Sequence, residues 1–104
     1  MTTFTLEPQE NDRLQSLCGA FDENIKLIEK EFNFNISRNN FTFTVKSNDE
    51  NPKSHHEQLI ERAAKLIQTL YVETAPIKGK VKELDLEDVH IALQESRMLS
   101  QEGS

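Results

Sequence analysis

Apolar residues recur along this chain in two rhythms, and the switches between them mark out its elements. Thr3 to Leu6 alternates polar and apolar, the period-two mark of a short strand, and Pro8 ends it. Spacing of three and four follows. Leu14, Leu17 and Cys18 share one face of a first helix, and Gly19 is placed to stop it. Phe21, Ile25, Ile28 and Phe32 predict a second helix whose apolar stripe faces the core, while Glu23, Lys26, Lys30 and Glu31 lean toward water. The two helices meet at a short joint, Gly19-Ala20-Phe21-Asp22.

The period then falls to two. Phe34 and Ile36 alternate with Asn35 and Ser37, and Phe41, Phe43 and Val45 alternate with Thr42 and Thr44. Arg38-Asn39-Asn40 between them supplies turn residues, so the pair reads as a β-hairpin with one buried face. Lys46 to Lys53, which holds Pro52, reads as a loop. Ser54-His55-His56-Glu57 fits a capping box that opens a long helix, with Leu59, Ile60, Ala63, Leu66, Ile67, Leu70 and Tyr71 on its stripe. Pro76 and Gly79 close that helix, and Asp85 caps a short last one carrying Leu86, Val89, Ala92 and Leu93. The expected order is β-α-α-β-β-α with one added helix, an α+β class. Its three-stranded sheet is covered by helices on one face. Residues 1–97 form the domain, and 98–104 read as a polar, disordered tail or the start of a linker.

Charge narrows the function. Eighteen acidic residues against twelve basic give a formal net charge of −6, which disfavours non-specific polyanion binding unless Lys and Arg gather locally. The single cysteine, Cys18, permits no intramolecular disulfide and no cysteine-based zinc site by itself. There is no run of about 20 apolar residues to span a membrane. The first residues, Met1-Thr2-Thr3-Phe4-Thr5, lack the basic start and apolar stretch of a secretory signal. These features point to a cytoplasmic setting.

The search for catalytic chemistry returns little. Lys78-Gly79-Lys80 is the nearest approach to a phosphate-binding P-loop, and it lacks the leading glycine and the hydroxyl residue. Three glycines in the whole chain are too few for a dinucleotide fingerprint. His55 and His56 are adjacent and diverge by about 100° around a helix, so they do not converge on a metal; His90 is distant in sequence. Glu29 with Glu31 and Glu87 with Asp88 read as solvated pairs, and Cys18 as a buried structural thiol. The expectation is a binding module that is not an enzyme.

The joint is the one feature with a functional shape. Tight helix–loop–helix joints let a nucleic-acid backbone approach closely, and KH domains use a GXXG loop in this way. The run from Leu17 to Glu29, followed by Phe34-Asn35-Ile36 and Phe41-Thr42-Phe43-Thr44-Val45, resembles a KH core. A closer resemblance is to bacterial PhoH-like proteins. It rests on Leu6-Glu7-Pro8, Asn11-Asp12-Arg13-Leu14, Leu17-Cys18-Gly19, Asp22-Glu23-Asn24-Ile25 with Ile28-Glu29, Leu70-Tyr71-Val72-Glu73-Thr74-Ala75, and Leu86-Glu87-Asp88-Val89-His90-Ile91-Ala92-Leu93. These matches are in order and span roughly residues 4 to 97.

The resemblance implies a KH-like N-terminal domain of a P-loop ATPase linked to RNA metabolism. ATP and Mg would bind in a C-terminal ATPase domain outside this chain, with no cofactor here. It also implies single-stranded RNA, that ATPase domain and the endonuclease YbeY as partners, and homo-oligomers of the full-length protein. The candidate RNA-binding residues are Gly19, Ala20, Phe21 and Asp22 in the joint, with Lys26, Arg38 and Lys46 as supporting cations. The joint departs from GXXG, because its last position is Asp22 and it contains no Lys or Arg. Asp22 and Glu23 suit helix N-caps, and would repel phosphate there. A protein-interaction or oligomerisation domain without nucleic-acid binding is the competing expectation. Convergence of Lys26, Arg38 and Lys46 would favour RNA, and a surface dominated by Asp12, Asp22 and Glu23 would favour protein.

Overall fold

The computed structural model describes residues 1–48 and 56–102. Its elements are β1 (Thr2–Thr5), α1 (Asn11–Cys18), α2 (Glu23–Phe32), β2 (Phe34–Asn39), β3 (Thr42–Ser47), α3 (His56–Glu73) and α4 (Leu86–Glu102). The class is α+β. One antiparallel sheet has the order β1-β3-β2, so the last strand in sequence lies in the middle. Phe4 stands opposite Phe43, and Ile36 opposite Val45. The alternation read from sequence gives the sheet its two faces. Phe34, Ile36, Phe43 and Val45 are buried inward, and the Phe4 and Phe43 rings stack 5.5 Å apart. On the outer face Thr3 bonds Thr44 and Thr5 bonds Thr42, hydroxyl to hydroxyl at 3.2 and 3.0 Å.

Among the described residues, helices cover the inner face: α2 lies along β2, and α3 along β1 and β3. The expected stripe of α3 is in place, with Ile60, Ala63, Leu66, Ile67, Leu70 and Tyr71 all buried. The added helix α4 docks on α2 and α3, through Val89 and Leu93. Asp85 caps it reciprocally, accepting from the Asp88 amide at 2.9 Å while Asp88 accepts from the Asp85 amide at 3.3 Å.

Several boundaries move. The helix α4 is 17 residues long and runs to Glu102, past the boundary expected at residue 97. Five of the seven residues 96–102 are good helix formers, none is Gly or Pro, and Arg97 pairs with Glu31 of α2. The hairpin turn is Asn40-Phe41, so Arg38 and Asn39 belong to β2. Asn40 alone there has positive φ (57°), the conformation its short side chain tolerates. Gly79 does not close α3, which ends at Glu73. It sits with Lys78 in a two-residue turn between Ile77 and Lys80, both at positive φ (54° and 81°). The capping box at Ser54 and His55 lies outside the described residues.

Candidate functional site

The joint between α1 and α2 is built by backbone. Gly19 ends α1, its amide donating to the Gln15 carbonyl at 2.9 Å, and takes φ 77° with ψ −179°. That region is essentially closed to any residue with a Cβ. A Cβ at Gly19 would also meet the Asn24 amide nitrogen at 3.0 Å. A single 3-10 turn, Ala20–Asp22, follows. Phe21 and Asp22 inside it are both left-handed, at φ 54° and 58°.

These dihedrals overturn one expectation. Phe21 is not on the apolar stripe of α2; it is 93% exposed. The left-handed pair breaks the helical register between position 21 and Ile25, so the ring swings out to the tip of the joint. Asp22 is also corrected. It holds the N-cap position of α2 but makes no capping hydrogen bond, and its carboxylate instead faces Arg38 at 3.6 Å. Arg38 further donates to the Asn40 carbonyl at 3.2 Å.

The candidate residues are brought together in part. Gly19, Ala20, Phe21 and Asp22 form one protruding loop, and Arg38 reaches it from β2. Lys26 is exposed in the first turn of α2, four residues after Asp22. Lys46 does not join them. It pairs with Asn35 on the outer face, whereas Arg38 is three ladder positions away with the inward parity of Phe34 and Ile36. Cys18 lies beneath the joint, 3% exposed. Burial pushes its thiol up to about 11, with Arg38 opposing and Asp22 adding to the rise. It is therefore a neutral thiol at neutral pH, without the thiolate a nucleophile needs.

Beside the joint runs a groove of about 700 Å³. One wall is Asp12, Gln15 and Ser16 of α1 with Gly19, Ala20 and Glu23; the other is the connector between α3 and α4, through Gly79, Val81, Glu83, Leu84 and Asp85. Its charged residues are Asp12, Glu23, Glu83 and Asp85, all acidic. Two polar side chains fix the connector there. The Ser16 hydroxyl donates to the Lys82 carbonyl and accepts from the Leu84 amide at 3.1 Å. Asn24, fully buried, donates from Nδ2 to the Leu17 and Leu84 carbonyls, each at 3.0 Å.

A second clamp fixes α1 to the end of α3. Arg13 is only 6% exposed, and its guanidinium donates to Thr74 Oγ1 at 3.1 Å, the Tyr71 carbonyl at 2.9 Å and Glu10 at 3.1 Å. It also lies 4.5 Å from the centre of the Tyr71 ring, whose hydroxyl donates to the Pro8 carbonyl at 2.5 Å. Ser16, Asn24 and Arg13 were absent from the sequence-derived candidates. Polar residues within the buried side of an amphipathic helix are the only signal that marks them.

Among the described residues no group of three or more His, Cys, Asp or Glu side chains is placed to hold a metal ion, and no helix is long and apolar enough to cross a membrane. His90 is exposed on α4, within 3.4 Å of Gln94. No family model matches the sequence, and no solved structure matches the fold.

Proposed function

We propose that this chain is a non-catalytic, RNA-handling accessory domain of the kind PhoH-like ATPases carry ahead of their nucleotide site, working in the cytoplasm. The observation that carries the reading is Phe21, a ring held out in water on a left-handed backbone at the tip of a KH-like joint. Exposing a phenyl ring and holding a bulky residue at positive φ both cost stability, of order 1–3 kcal/mol for the backbone alone. Such strain persists where it serves a contact. An exposed ring at a loop tip offers a face for an unstacked base. Arg38 reaches the same joint, where Asp22 offsets much of its charge, and Lys26 is exposed in the helix that follows.

In this reading the domain delivers single-stranded RNA to an ATPase domain that supplies the ATP and Mg chemistry. YbeY-type endonuclease and further copies of the full-length protein are the natural partners by the same resemblance. The test is a titration of labelled single-stranded RNA at low and physiological salt. Wild type should bind, and Phe21→Ala should weaken binding about tenfold, as loss of one stacked base predicts. Absence of binding at both salts would sink the reading.

The acidic groove supports a second reading, a protein-interaction domain that receives a basic segment. A lysine-rich peptide should then bind where RNA does not, and neutralising Glu23 and Glu83 should release it.

A further inference from the structure

If RNA does cross this domain, its phosphates need a place, and the joint does not provide one. Asp22 occupies Arg38, and the groove behind the loop presents four carboxylates. The connector between α3 and α4 has the opposite character on its other side. Between Glu73 and Glu83 the chain holds no acidic residue and three lysines, Lys78, Lys80 and Lys82. All three are exposed. The residues that line the groove here are Gly79, Val81 and Glu83, and the lysines between them do not. Groove-lining residues and lysines thus alternate along 78–83, with Glu83 on the groove wall and Lys78, Lys80 and Lys82 exposed and not part of it.

Three further observations make this run more than loose surface charge. The turn at its tip is closed by two backbone bonds, Ile77 amide to Lys80 carbonyl at 2.9 Å and Lys80 amide to Ile77 carbonyl at 3.1 Å. The far end is held by Ser16 at Lys82 and Leu84, and by Asn24 at Leu84. Among the described residues the ion pairs are Arg13 with Glu10, Arg38 with Asp22 and Arg97 with Glu31, and none of them involves these lysines. Three exposed ammonium groups within five residues, on a backbone tied at Ile77–Lys80 and at Lys82–Leu84, can meet phosphates of a single strand laid along the connector.

We infer that the connector 78–82 is a phosphate-binding rail for single-stranded RNA, and that it supplies the electrostatic part of binding while Phe21 supplies stacking. The inference rests on the RNA reading above and adds to it where the backbone runs. A fixed backbone under mobile ammonium groups gives contact without ordering the chain first.

The experiment is a salt series of RNA titrations with the whole chain, comparing wild type with two charge-matched variants. One carries Lys78→Gln, Lys80→Gln and Lys82→Gln; the other carries Lys30→Gln, Arg62→Gln and Lys65→Gln. Circular dichroism and thermal melting confirm that both fold. The rail variant should bind at least tenfold more weakly at low salt, with a log K against log salt slope shallower by about two, near 0.7 per lost phosphate contact. The control variant should change the slope by less than half of that. Equal losses in both variants would reduce the effect to net charge and overturn the rail. So would an unchanged slope in the rail variant; if Phe21→Ala still weakens binding in that case, the RNA reading survives and the rail alone fails. No RNA binding by wild type removes both. Equal wild-type affinity for poly-glutamate, lost in the rail variant, would assign the lysines to acidic proteins and overturn the inference.

Discussion

The molecule joins helices in two ways. The link from α1 to α2 is four residues long and is shaped by backbone: a glycine in a region closed to other residues, then two left-handed positions. The link from α3 to α4, residues 74–85, is three times as long and is shaped mostly by side chains that reach it from elsewhere. Ser16 and Asn24, which flank the short link, are the residues that hold the long one. The short joint stores strain at its tip and presents a ring; the long connector is tied at the Ile77–Lys80 turn and at Lys82 and Leu84 and presents charge. A site assembled from both needs each to be fixed, and this fold fixes the second through the flanks of the first.

That contrast can be broken at the backbone first. Gly19→Ala should cost about 3 kcal/mol, combining the closed dihedral region with the approach to Asn24, and urea denaturation would read it. A loss under about 1 kcal/mol would mean the joint relaxes freely and that its shape is not imposed by Gly19. The side-chain link is next. Ser16→Ala removes the donor to Lys82 and the acceptor for Leu84, and should cost about 1–2 kcal/mol. Hydrogen exchange should quicken at the Leu84 amide while amides of the joint stay protected. The smallest effect has the opposite sign. Phe21→Asn should stabilise the domain by about 0.5–1 kcal/mol, since Asn tolerates the left-handed region better, while RNA binding weakens. Stability and binding moving apart would mark the ring as kept for contact.

The sequence made the scaffold legible because periodicity survives wherever an element has one buried face. The strand alternation at Phe34 to Val45 and the α3 stripe at Ile60 to Tyr71 appear as read. Phe21 misled for a local reason: its spacing from Ile25 is helical, but φ values of 54° and 58° at the joint cancel the register, and spacing carries no dihedral information. The acidic groove and its latch were hidden for a distant one. Asp12 and Glu23 meet Glu83 and Asp85 only through tertiary contact, and Ser16 finds its partners 66 and 68 residues away. Lys78-Gly79-Lys80 reads in sequence only as an incomplete P-loop and Gly79 as a helix stop; it took the fold to show the turn, with Gly79 lining the groove and the lysines not.

The single hydroxyl of Ser16 closes the connector at Lys82 and Leu84, and everything from Ala75 to Val81 lies outboard of that latch. Lengthening a surface segment costs little, about 0.6 kcal/mol per doubling, when its ends are already tied. Relatives of this chain are therefore free to grow or shorten the Ile77–Lys80 turn, reshaping that end of the groove wall, without disturbing the Ser16 latch or the seat of α4. Insertions and deletions should gather there, and a fused reporter placed between Lys78 and Gly79 should leave the rest of the fold standing.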